Sequence, residues 1–146
     1  MKKHRNIAVL IESSRAYGRE LIRGVSQYSH EHAYWTVSFT PSGLEEMPPS
    51  WFKYWKGDGI LARISNRRMA DAVLQHAGVP AVELRGALGN LPIPFIGIDN
   101  KVVAGLALDH LMSRGLRHFA FCGLLQGKYL RMDERRNHFV QLAHEK

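Results

Sequence analysis

Residues 5–39 read RNIAVLIESSRAYGRELIRGVSQYSHEHAYWTVSF, and the order of patterns within that stretch decides the fold. IAVLI at 7–11 is a continuous apolar run of strand length, and WTVSF at 35–39 is a second. Between them Leu21, Ile22, Val25 and Tyr28 recur at helical spacing, and Ser14 stands where a helix cap is expected. Strand, amphipathic helix, strand is the unit that forces a crossover, and it predicts parallel strands with helices packed on the sheet.

The alternation continues. GILARI at 59–64, PAVEL at 80–84, PFIGI at 94–98 and HFAFC at 118–122 are further short apolar runs, of the kind expected for strands buried on both faces. A helix over 44–56 is the weakest expectation, because Pro48 and Pro49 fit only a first turn and Trp51, Phe52, Tyr54 and Trp55 have mixed periodicity. Residues 67–77 place Met69, Ala72, Val73 and His76 on one side, and Gly78 and Pro80 supply stop signals. RGALGNLPIP at 85–94 has two glycines and two prolines and reads as a connecting loop. Asn100 is expected to cap a helix over 101–115 that turns Val103, Leu106, Ala107, His110 and Leu111 inward, with Gly115 taking the left-handed terminal conformation. A last helix from about Arg131 carries Met132, Phe139, Leu142 and Ala143, with no strand after it. The fold class is therefore α/β, with a doubly wound, mostly parallel sheet.

Composition agrees with one core: 146 residues, 45% hydrophobic and 23% charged, suit a single globular domain. A formal charge of +7 invites an anionic partner such as DNA. Against that, Lys2, Lys3, Arg5, Arg67, Arg68, Arg131, Arg135 and Arg136 are scattered along the chain and do not line one helix face. The lone Cys122 excludes an internal disulfide and suits a reducing compartment, and its setting in FAFC predicts a buried thiol. With no apolar run of about eighteen residues and a polar start, neither a membrane span nor a signal segment is expected, so a cytoplasmic protein is.

Catalytic signatures are missing. There is no G-x-S-x-G elbow, no phosphate loop and no G-x-G-x-x-G after the first strand, so neither an enzyme nor a cofactor is expected. His30, Glu31 and His32 cluster in sequence, but two histidines two residues apart on a helix point in different directions, and no metal site is expected there. His110 and His118 read as packed core residues.

Open parallel sheets bind ligands at the carboxyl ends of their strands. Here those ends carry Glu12, Ser13, Ser14 and Arg15, then Arg63, Arg85, and the pair Asp99 and Asn100. Carboxylate and guanidinium forks suit the vicinal hydroxyls of a sugar, because each makes two directed hydrogen bonds. Caps and turns would use Ser14, Asp99 and Asn100 equally well.

At this point FIGIDNKVVAGLALDHLMSRGLRHFAFCG, residues 95–123, resembles the signature of the lactose/galactose repressor family: I-D-N, an amphipathic helix, H-L, a turn glycine and a strand. Arg135-x-x-His138-Phe139 is similar to that family's R-x-x-G-F motif, whose Arg contacts the effector, with His138 at the family's Gly. RNIAVLIESSRAYGRELIRGVSQYS, WKGDGILARI and the ERR and FVQL of the last helix are similar to the xylose-operon-regulator branch, in which the sensor comes first and arabinose-regulator-type helix-turn-helix motifs come last. A first strand at residue 7 fits that layout, leaving no room for an N-terminal helix-turn-helix.

The resemblance implies a periplasmic-binding-protein-like clamshell of which residues 1–146 are the N-terminal lobe, the second lobe and the DNA-binding domain lying outside this chain. It implies a xylose-like monosaccharide effector met by Ser13, Ser14, Arg15, Arg63, Asp99 and Arg135. A homodimer follows as well, with the first helix and groups such as Tyr28 toward the partner, and DNA contact only through the missing domain. Three alternatives stand beside it: a receiver or flavodoxin-like module, a small sugar-phosphate enzyme, and a transport-type sugar-binding protein. A receiver wants an acidic pair after strand one and Asp ending strand three, where this chain has Glu12 alone and Arg63.

Overall fold

The computed structural model describes residues 4–32, 34–43 and 47–146. Lys2, Lys3 and the first three positions of the expected 44–56 helix lie outside the described residues. Within the span that the sequence assigns to one lobe, the chain forms two compact units, Met1–Ile96 and Gly97–Lys146.

The first unit is a four-stranded parallel sheet in the order β2-β1-β3-β4, with β1 at Arg5–Leu10, β2 at Trp35–Phe39, β3 at Gly59–Ala62 and β4 at Ala81–Glu83. Every pairing is parallel, with Ile7 opposite Val37 in β2 and Gly59 in β3. β1 explains the two-sided burial. Its side chains alternate, so Ile7 and Val9, with Ile11 beyond the strand's end, meet Leu21, Ile22 and Val25 of α1 (Ala16–His32). Ala8 and Leu10 meet Phe52, Met69, Ala70 and Val73 on the other face. Met69, Ala70 and Val73 belong to α2 (Arg67–Leu74), whose start is capped by Asn66 accepting from the Met69 N–H at 2.9 Å. His76 follows α2 with its ring 4.4 Å from that of Phe52, at the helix end where Gly78 turns the chain with φ of 84°. β2 is an edge strand, and Thr36 and Val37 are exposed.

The second unit contains α3 (Asn100–Ser113) and α4 (Leu130–Glu145). Ala104, Leu108 and Phe139 form its core, with Leu111, Met112, Phe119 and Phe121 against it. The turn after α3 is closed as expected: Gly115 has φ of 80°, and Leu116 N–H reaches back to the Leu111 carbonyl.

Several expectations are corrected. Among the described residues of the 44–56 segment there is only a short 3₁₀ turn at Ser50–Tyr54, begun where the Pro49 carbonyl accepts from Phe52 N–H. α1 starts one residue later than a Ser14 cap requires, since Arg19 N–H donates to the Arg15 carbonyl. The runs at 94–98 and 118–122 are not ladder strands: the first makes a single bridge from Glu83 to Phe95, and the second has no strand partner among the described residues. An apolar run supplies burial, but a strand also needs a neighbour to accept its backbone hydrogen bonds. In consequence Cys122, expected in a buried strand, is exposed, as is His118.

α3 is rotated relative to its expected face. Asp99, not Asn100, is the cap, its Oδ1 accepting from Lys101 and Val102 N–H at 2.9 and 3.0 Å. Ala104 and Leu108 are buried, whereas Leu106 is 66% exposed and Ala107 and His110 also face outward. Apolar residues occupy nearly the whole circumference of this helix, so their spacing does not select one stripe.

Candidate functional site

In the first unit the carboxyl ends of β1 and β3 carry the most organised group of charges. β1 runs on into Ile11 and Glu12, both buried, and Arg63 follows β3 with its N–H donating to the Leu10 carbonyl at 2.9 Å. That backbone bond puts the two side chains side by side: Arg63 Nη1 pairs with Glu12 Oε1, the guanidinium side chain 12% exposed and the carboxylate side chain 4%. Glu12 thus has a basic partner 51 residues away in sequence. The Tyr17 ring lies 4.9 Å from the Arg63 guanidinium carbon, a cation–π contact that fixes the plane of the fork. Gly18 makes this approach possible, since an added Cβ would stand 2.0 Å from the Glu12 carbonyl oxygen.

A cavity opens beside this pair, lined by Glu12, Arg63, Thr40, Ser42, Ser65 and Met47 among others. Ser13 belongs to the same rim: its N–H donates to the Ser42 carbonyl at 3.0 Å, and its own carbonyl accepts from Arg19 Nη1 at 3.0 Å. Ser14 and Arg15 are exposed. Arg85 is half-buried after β4, where its N–H donates to Glu83 Oε1 at 2.8 Å. Glu83, 3% exposed, also accepts from Ile64 N–H at 3.1 Å and from Gly86 N–H, a role that sequence reasoning missed. Its signal was a carboxylate inside an apolar run, which has to be satisfied by backbone donors if it is buried.

In the second unit the expected residues Asn100 and Arg135 are brought together. Asn100 is 5% exposed, and its Oδ1 accepts from Arg135 Nε and Nη2 at 3.2 and 3.0 Å. Its Nδ2 donates to Glu134 Oε2 at 3.0 Å, and Arg131 Nη1 binds both Glu134 oxygens. Asp99 is exposed and commits Oδ1 to the helix cap. Glu134 and Tyr17 were not singled out from sequence; the i,i+3 spacing of Arg131 and Glu134 was the available signal for the former.

Among the described residues no group of three or more His, Cys, Asp or Glu side chains is placed to hold a metal ion, and no helix is long and apolar enough to cross a membrane. His30, Glu31 and His32 are exposed at the end of α1.

The parallel α/β sheet, with polar side chains paired at its strand ends, is of the periplasmic-binding-protein-like type to which solved structures assign it. One described as the xylose-binding transcription activator XylR superposes with a TM-score of 0.77 at 26% identity, over 98% of this chain and 36% of that one. A LacI transcriptional regulator from a Rhodococcus species shares the fold with a TM-score of 0.70 at 18% identity, over 97% of this chain and 53% of that one. The chain belongs to the XylR N-terminal domain family, whose profile matches residues 6–103. The xylose operon regulatory protein of Escherichia coli K12 is 30% identical over 150 residues, 99% of this chain and 37% of its own length. The chain thus spans little more than a third of that relative. These relatives are regulators of transcription and not enzymes.

Proposed function

We propose that this chain is the sugar-sensing part of a transcription regulator whose effector is a xylose-like pentose. Membership of the XylR N-terminal domain family supports the regulatory class. The observation that carries the ligand class is the Glu12–Arg63 pair at the carboxyl edge of the sheet. A carboxylate only accepts and a guanidinium only donates, whereas each sugar hydroxyl does both, so a vicinal diol can satisfy the two groups at once.

Further ligand contacts are assigned to Ser13, Ser14, Arg15 and Arg85 in the first unit and to Asp99, Asn100 and Arg135 in the second. No bond is made or broken. The sugar acts by binding one conformation of the regulator better than another, which shifts the population that engages DNA. DNA reading is assigned to length outside these 146 residues, and a homodimer to the full regulator, with the exposed Tyr28 on α1 toward the partner.

Titration calorimetry on the chain with D-xylose, D-glucose and a sugar phosphate tests the reading. Weak binding of xylose by the chain alone and saturable binding by a longer form containing it, the latter weakened at least about tenfold by Arg63→Gln through loss of a charge-assisted bond, are expected. Absence of xylose binding to the wild-type chain and to any longer form containing it, or turnover of the sugar phosphate, overturns it.

A further inference from the structure

The side chains around Asn100 form a relay with one allowed polarity. Arg135 can only donate, and Glu134 as a carboxylate can only accept. The Asn100 amide lies between them with its oxygen on Arg135 Nε and Nη2 and its nitrogen on Glu134 Oε2. Flipping the amide would set its NH₂ against guanidinium donors and its oxygen against a carboxylate, losing all three bonds at a site 5% exposed. Arg131, on both oxygens of Glu134, holds that carboxylate in turn.

We propose that Glu134 is a positioning residue for Arg135: it fixes the Asn100 amide, and the amide fixes the guanidinium by two of its donors. Asn100 occupies one edge of the fork, and Nη1 has no protein acceptor among the described residues, so the relay presents that nitrogen in a fixed direction. The inference deepens the sugar-sensing reading and rests on it for the identity of the guest, but the orientation of Arg135 can be read without any guest.

The test is a nitrogen-15 NMR record of the Arg135 Nε–H in the chain, assigned by its loss in Arg135→Lys, with pentose affinity measured in parallel. In the wild type this signal is expected apart from the averaged position of free arginines and slow to exchange. Glu134→Ala should move it to that averaged position and weaken pentose binding about threefold to tenfold, the range expected for releasing one held side chain. Glu134→Gln, whose amide oxygen can still accept from Asn100, should retain most of both. Asn100→Leu, which removes the acceptor of Arg135 Nε and Nη2, should lose the signal, and adding Glu134→Ala to it should change the signal no further.

A role confined to stability would alter melting but leave the Arg135 signal where it is in Glu134→Ala. An unmoved signal in Glu134→Ala, or a further change when Glu134→Ala is added to a folded Asn100→Leu chain, overturns the proposal. If the signal behaves as expected and the wild type binds no pentose, the positioning role stands and the sugar assignment falls.

Discussion

Glu12 and Arg63 meet as a buried ion pair where β1 and β3 end, and they do so because the two strands are neighbours in the sheet. Removing one member of such a pair leaves the other as an uncompensated charge. Glu12→Ala is therefore expected to destabilise the first unit by about 3 kcal/mol. The double substitution Glu12→Leu with Arg63→Met, which leaves no stranded charge, should cost clearly less than the sum of the single changes. Urea unfolding followed by tryptophan fluorescence checks this, because Trp35, Trp51 and Trp55 are the only tryptophans and all lie in the first unit.

Gly18 and Gly24 share α1 but should respond in opposite directions. A Cβ at Gly18 would collide with the Glu12 carbonyl, whereas one at Gly24 meets nothing within 4 Å. Gly18→Ala is expected to destabilise by about 2 kcal/mol or more, by forcing the helix off the strand end. Gly24→Ala should stabilise by about 0.5–1 kcal/mol through helix propensity. The same fluorescence-detected melts read both, and a neutral Gly18→Ala would contradict the close approach.

The rotation of α3 is tested by two leucines. Leu108 is fully buried and Leu106 is two-thirds exposed. Leu108→Ala should cost about 2–5 kcal/mol, and Leu106→Ala less than about 1 kcal/mol. Amide hydrogen exchange over 97–146 is the suitable measurement, since that unit has no tryptophan. A larger loss at Leu106 than at Leu108 would restore the face expected from sequence.

Asp99 has a cap to lose. Asp99→Ala should weaken α3 by about 1 kcal/mol, and Asp99→Ser should recover most of it. Exchange at Lys101 and Val102, whose N–H groups donate to Asp99, should rise first.

Much of the first unit was legible in sequence because its strands advertise themselves. Four apolar runs became β1 to β4, and the stripe of Leu21, Ile22 and Val25 placed α1 on the sheet. The runs at 94–98 and 118–122 look the same to a reader of hydrophobicity, but only the folded chain says whether a neighbouring strand is present. α3 was legible as a helix and not as a face, for Val102, Val103, Leu106, Leu108, Leu111 and Met112 surround its axis. Among the candidate site residues, Arg63, Asn100 and Arg135 were singled out by their places at strand ends and in motifs. Their partners were not: Glu12 reaches Arg63 only through strand order, and Glu134 reaches Asn100 only through the packing of α3 on α4.

The buried carboxylate of Glu83 gathers three amides from two separate stretches of chain, Ile64 after β3 and Arg85 and Gly86 after β4. One side chain thus anchors the roots of both loops to a common point. Any opening or closing of these loops must begin beyond the anchor, past Ile64 on one side and past Gly86 on the other, and the strand ends beneath stay in fixed register while the tips travel.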